Sequence, residues 1–268
     1  MKRLHLSRTV AYLWRHRRIA AGIVTGIASL LGLIIAYTMP RGPATSAQAL
    51  TAIATSLIVG CIVGIILRSR WVLLIVPLAF LIAIELGRFN VIGPTVDAIR
   101  LDEPFGILAL ILGRGFHGLV GVFPMLLGSA WGIAIARYFR SVTPFIKPGR
   151  WTIATTVGLL VLALWIALPA STPPILGADG QPLEGSIASL EKVQLGGKAQ
   201  WIMLRGHSRN KPVLLYLSGG PGQSDLSFSR VLFDDLTHNF VIVSWDQRGT
   251  GKSYAALDPT SVSYTHLT

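Results

Sequence analysis

The sequence has 268 residues, 51% of them apolar and 13% charged, and its mean hydropathy of +0.58 excludes both a disordered chain and an ordinary soluble domain. The net charge of +12 sits in one half: residues 1–171 hold 16 Lys and Arg against 4 Asp and Glu, whereas residues 172–268 hold 8 against 8. Basic residues flanking apolar runs report membrane topology, so this excess argues for the lipid bilayer as a partner and against nucleic acid. With the single cysteine Cys61 in an apolar run, an intrachain disulfide framework is excluded.

The chain opens on a basic head, residues 1–18, with Lys2, Arg3, Arg8, Arg15, Arg17 and Arg18. Residues 19–39 carry no charge and would make a helix of about 31 Å, enough to cross a hydrocarbon core of about 30 Å. That is also longer than the apolar core of a signal peptide. Further spans are expected over residues 49–67, closed by Arg68 and Arg70, and over 71–86, broken by Pro77 and ending near Glu85 and Arg88. Glu85 and Arg88, three residues apart, are expected to pair at the interface. Residues 105–112 are too few to span, and a single helix over 105–136 would reach about 48 Å, so the short piece is read as interfacial or re-entrant and 116–136 as the fourth span. Residues 151–168 make the fifth. Three Gly-x-x-x-Gly pairs, Gly22 with Gly26, Gly60 with Gly64 and Gly128 with Gly132, permit close helix contact, although glycine is common enough in spanning helices that no single pair requires it.

Lys and Arg counts orient these spans. The head carries six, the second-to-third connection two and the fourth-to-fifth connection four, while Arg41, Arg88, Arg100 and Arg114 on the alternate side are offset by Asp97, Asp102 and Glu103. The positive-inside tendency then places the amino terminus in the cytoplasm and residue 170 onward on the exoplasmic side, and the expected location is a bacterial plasma membrane. The expected fold class is a multi-spanning α-helical membrane domain, residues 1–171, followed by a truncated α/β domain.

Residues 172–185, rich in Pro and Gly, read as a linker, and 186–261 as the start of the α/β domain. Residues 187–195 and 200–205 form a strand pair around Gly196 and Gly197. The apolar runs 213–217 and 240–244 have the length of buried parallel strands, and each ends in a glycine-rich loop. Between them Leu226, Val231, Leu232, Phe233 and Leu236 recur near helical spacing, with Asp225, Asp234 and Asp235 expected in solvent.

The two glycine loops read Ser218-Gly219-Gly220-Pro221-Gly222 and Asp246-Gln247-Arg248-Gly249-Thr250-Gly251-Lys252-Ser253. On these residues the sequence resembles the proline iminopeptidase branch of the α/β-hydrolase family, departing at Ser218, where the family carries histidine. The resemblance implies that Gly219 and Gly220 lend backbone N–H groups to an oxyanion hole, and that Pro221, Gly222, Asp246, Gln247, Arg248, Gly249, Gly251 and Ser253 shape the loops. Asp246 and Arg248 are expected to hold the second loop through an ion pair and backbone hydrogen bonds. A phosphate-binding reading of Gly251-Lys252-Ser253 fails, because Asp246 stands where that motif needs glycine.

The nucleophile of such a hydrolase belongs to Gly-x-Ser-x-Gly, which occurs nowhere in the 268 residues, and His207 and His238 precede any position a catalytic base would take. Residues 262–268 resemble one translated frame of a sequencing-library adaptor and read as a non-native tail. The expectation is a membrane-anchored serine hydrolase, peptidase or esterase, acting on a small ester or peptide substrate and truncated before its catalytic triad; the alternative is a non-catalytic scaffold or sensor with a degenerate hydrolase-like binding module. No metal-ligand cluster and no cofactor fingerprint stands in the sequence. Half a hydrolase sheet would leave a hydrophobic parallel strand as an exposed edge.

Overall fold

The computed structural model describes residues 8–39, 43–89, 99, 101–140, 149–218 and 224–256. The chain divides into two compact units, Met1–Leu168 and Pro169–Thr268.

The first unit is helical: α1 (Arg8–Arg15), α2 (Arg17–Thr38), α3 (Ser46–Leu67), α4 (Val72–Gly87), α5 (Pro104–His117), α6 (Phe123–Arg140) and α7 (Arg150–Ala167). Four runs, Arg17–Thr38, Ser46–Leu67, Gly106–Tyr138 and Arg150–Ala167, are long and apolar enough to cross a membrane. The expected third span is the shorter α4, 16 residues or about 24 Å long, which continues through Pro77 instead of breaking there. Local chemistry sets some of the ends. Thr45 and Gln48 form a reciprocal capping box at the start of α3, and Arg68 closes it in the left-handed region at φ 52°.

The expectation of a separate interfacial piece at 105–112 is corrected. Helix runs from Pro104 to Arg140, with a π turn at Gly118–Val122 joining α5 to α6. Arg114, a good helix former, lies within it, and Glu85 of α4 accepts from one edge of its guanidinium, Nε at 3.0 Å and Nη2 at 2.8 Å. The expected Glu85–Arg88 pair gives way to this one. Arg88 instead is buried, with Nη1 3.0 Å from His117 Nε2 and Nη2 donating to the Met39 carbonyl at 3.4 Å.

Glycine decides which helices meet. Gly60 and Gly64 of α3 lie against the backbone carbonyls of Met125 and Ser129, and Gly128 and Gly132 of α6 lie against those of Leu57 and Cys61. A side chain at any of the four would occupy the place of a carbonyl oxygen, so α3 and α6 approach in parallel at backbone contact. Gly32 and Gly87 bring α2 and α4 together in the same way, a Cβ at Gly87 falling 2.7 Å from Ala36 Cβ. Among the described residues nothing lies within 4 Å of a Cβ placed at Gly22 or Gly26, so this pair makes no close contact with them. Val24, Val63, Val72, Val76, Phe80 and Met125 fill the resulting core completely shielded from solvent.

The second unit is a four-stranded mixed sheet in the order β1-β2-β4-β3, from β1 (Ile187–Leu195), β2 (Lys198–Gly206), β3 (Val213–Leu217) and β4 (Val241–Asp246). β1 and β2 form an antiparallel hairpin through Gly196 and Gly197, both at positive φ, where glycine alone is unstrained. β2 runs antiparallel to β4, and β3 parallel to β4. β3 is an outer strand with Val213, Leu215 and Leu217 more than half exposed, an open apolar edge.

Residues 172–185, expected as a linker, are built into this unit. Ile175 is buried, Leu176 bridges Pro182, and the buried Arg205 of β2 donates to the Pro173 carbonyl at 2.6 Å and to Thr172 Oγ1 at 3.1 Å. Burial lowers the pKa of Arg205, with Asp234 opposing that shift from 4.0 Å. The segment between β3 and β4 is a short helix α8 (Leu226–Leu232) and a 3₁₀ turn, Asp235–His238. Its apolar stripe is only partly used: Leu226 is buried, while Val231 and Leu232 face solvent. His207 and His238 stack on each other with ring centroids 3.7 Å apart.

Candidate functional site

The site is at the carboxyl ends of the parallel strands β3 and β4, where the crevice of an open α/β sheet takes ligands. Register pairs Leu217 with Trp245, so the two strands end side by side.

Asp246, the last residue of β4, is fully buried and organises the second loop. One carboxylate oxygen accepts from Ser224 Oγ at 2.7 Å and the other from the Lys252 backbone N–H at 2.7 Å. Burial raises the Asp246 pKa, and those two hydrogen bonds work against the rise. Gly251, at φ 41°, passes so close that a Cβ would strike both the Asp246 carboxylate and the Ser224 side chain. Gly249 takes φ 80°, completing the tight return of the chain. The loop then closes on itself: Gly249 N–H donates to the Ser253 carbonyl at 3.2 Å, Thr250 N–H to the Gln247 carbonyl at 3.0 Å, and Ser253 N–H to the Thr250 carbonyl at 2.8 Å. Ser253 Oγ accepts from the Trp201 N–H of β2 at 2.8 Å, which stitches the loop back to the sheet. Asp246, Gly249, Gly251 and Ser253 thus each have a part in holding the loop.

One expected pairing is corrected. Arg248 makes no ion pair with Asp246. Its guanidinium reaches across to the β1–β2 turn, donating to the Gly196 carbonyl at 2.6 Å and more weakly to the Leu195 carbonyl at 3.5 Å. The reason is burial: Asp246 is sealed inside by Ser224 and Lys252, while Arg248 is exposed and spans the surface.

Asp225, expected in solvent, is buried and accepts from Tyr216 Oη at 2.9 Å. That bond is the main reason the Tyr216 pKa is raised. Asp225 precedes α8 yet makes no side-chain cap, since its carboxylate is turned to the tyrosine. Sequence reasoning missed Ser224, Asp225 and Tyr216 as members of the site. The available signal was that Ser224-Asp225 closes the first glycine loop just before a helix. Gly219, Gly220, Pro221 and Gly222, the expected oxyanion loop, lie outside the described residues. His207 Nδ1 lies 2.9 Å from Thr237 Oγ1, and neither His207 nor His238 is among the hydrogen-bond partners of Asp246. Among the described residues no three His, Cys, Asp or Glu side chains gather as a metal site.

A stretch of 74 residues, 28% of this chain, is 38% identical to a Bacillus subtilis (strain 168) protein named "Probable aminopeptidase YbaC". The match spans 23% of that protein's length. No family model matches the chain. No solved structure matches it.

Proposed function

We propose that the whole protein is a membrane-anchored serine hydrolase of the proline iminopeptidase-like branch of the α/β-hydrolases, cleaving a peptide bond in preference to an ester. The observation that carries this reading is the Asp246-centred closure. It ties Ser224, at the end of the first glycine loop, to the second loop at the carboxyl edge of two parallel strands. The partial likeness to a protein named as a probable aminopeptidase supports the peptide-bond preference.

In this reading a serine on a further part of the protein attacks the substrate carbonyl while a histidine base accepts its proton. The Gly219 and Gly220 N–H groups receive the oxyanion, the amine leaves with the proton returned by the histidine, and water then releases the acyl group. The spans hold the enzyme in the bilayer, with the amino terminus cytoplasmic and the hydrolase unit exoplasmic.

The test is a long sequencing read through the source locus, followed by expression of the complete reading frame in membranes. The expected result is a downstream Gly-x-Ser-x-Gly, labelling of its serine by a fluorophosphonate probe, and release of para-nitroaniline from aminoacyl anilides. A complete frame without that serine, or a protein that neither labels nor cleaves, overturns the proposal.

A further inference from the structure

Among the described residues of the helical unit, six exposed arginines lie at one end. The parallel contacts of α2 with α4 and of α3 with α6 place the starts of α2 and α4 beside the ends of α3 and α6. The Trp131–Thr156 hydrogen bond joins the first half of α7 to the second half of α6, while Ile166, near the end of α7, packs against the same apolar cluster as Phe123 at the start of α6, so α7 begins at the same end. Arg15, Arg17, Arg18, Arg70, Arg137 and Arg150 are all exposed there. The unit's described carboxylates, Glu85, Asp102 and Glu103, lie at the other end, near the finish of α4 and the start of α5, and no Asp or Glu precedes Glu85 in the sequence.

This end is also held in shape. Trp14 of α1 donates its indole N–H to the Ile65 carbonyl at 3.1 Å, in the last turn of α3, and Arg68 donates to the Trp14 carbonyl at 3.2 Å with its guanidinium 4.0 Å over the indole ring. α1 is thereby fastened beside the bundle, and Tyr12 and Trp71 stay exposed beside the arginines, as aromatics do at a membrane surface. Arg17 and Arg18 open α2, where the positive end of the helix dipole disfavours a cation, so their own helix gives them no stabilisation.

We propose that this end is a docking surface for anionic phospholipid headgroups of the adjoining leaflet, with Arg15, Arg17 and Arg18 as its main contacts. The charge complementarity is one-sided: a surface of arginines without carboxylates meets phosphates, which guanidinium groups bind in a planar fork. A juxtamembrane cation beside an anionic leaflet changes local affinity roughly fivefold. The inference is independent of the hydrolase reading.

The test uses the full chain in nanodiscs of equal phosphatidylcholine and phosphatidylglycerol, with the lipids that stay bound counted by native mass spectrometry. Wild type is expected to retain phosphatidylglycerol over phosphatidylcholine about fivefold or more, the combined R15Q, R17Q and R18Q variant to within about twofold of the bulk ratio, and the combined R15K, R17K and R18K variant to recover most of the preference. Raising NaCl from about 0.05 to 0.5 M on wild type should abolish the preference without any substitution, since screening shortens with ionic strength. No preference in wild type, a preference that survives the three glutamines, or one indifferent to salt each overturns the proposal.

Discussion

The helical unit and the sheet unit bury their interiors by opposite means. Between α3 and α6 the contact is made by subtraction: four glycines remove side chains so that backbone meets backbone, and aliphatic residues fill the rest. Around Asp246 it is made by addition, where a buried carboxylate gathers Ser224 and Lys252, and nearby Gln200 and Ser244 are buried with partners of their own. With the helical unit read as membrane-spanning, the difference follows from the solvent. Lipid is as apolar as leucine, so helices gain by fitting closely rather than by hiding apolar surface. In water a sheet can afford polar groups inside only when each is satisfied.

The sharpest way to break this comparison is at the glycines. Gly128→Leu puts a side chain where the Leu57 carbonyl stands and should destabilise the bundle by about 3 kcal/mol, read as a lowered unfolding midpoint in mild detergent mixed with dodecyl sulfate. Gly22→Leu, with open space around it, should stay within about 0.5 kcal/mol of wild type. Equal effects at the two positions would remove the case for close approach.

Asp246 gives the next effect. Asp246→Ala strands the Ser224 hydroxyl and the Lys252 N–H and should remove about 2 kcal/mol from the sheet unit, followed by hydrogen exchange of β4 amides in the full chain. Asp246→Asn should lose less, because one acceptor remains and no buried charge is needed. The pH dependence separates the two variants further. A raised folded-state pKa means that the contribution from Asp246 is fully present below the ordinary carboxylate range and is lost as pH rises through the raised value. Wild type minus Asp246→Asn should therefore fall across that window, and a flat difference would contradict a burial-dominated site.

The smallest effect is expected at the pair between α4 and α5. Arg114 and Glu85 are partly exposed, at 27% and 47%, so Glu85→Gln should lower bundle stability by about 0.5 kcal/mol in the same detergent assay, and by less at high salt. A loss of several kcal/mol would show that this ion pair, rather than the glycine contacts, dominates the stability of the bundle.

Much of the architecture was legible in advance because it depends on local pattern. Uncharged runs of bilayer length mark α2, α3 and α7, alternation around Gly196 and Gly197 marks the β1–β2 hairpin, and the apolar run 213–217 marks β3 at its observed bounds. The fixed residues from Asp246 to Ser253 likewise signalled a tightly wound loop before any contact was known. What only the tertiary structure decided is pairing between elements. Arg114 pairs with Glu85 of another helix, Asp225 is buried where Tyr216 donates to it, and Arg248 leaves Asp246 for a carbonyl 52 residues away in sequence. The same holds for the glycines: Gly22 with Gly26 and Gly128 with Gly132 are indistinguishable as spacings, and only the neighbouring helix makes one pair a contact and leaves the other open. Periodicity and composition are properties of one segment, whereas the partner of a charge or of a small residue is chosen by the packing of all of them.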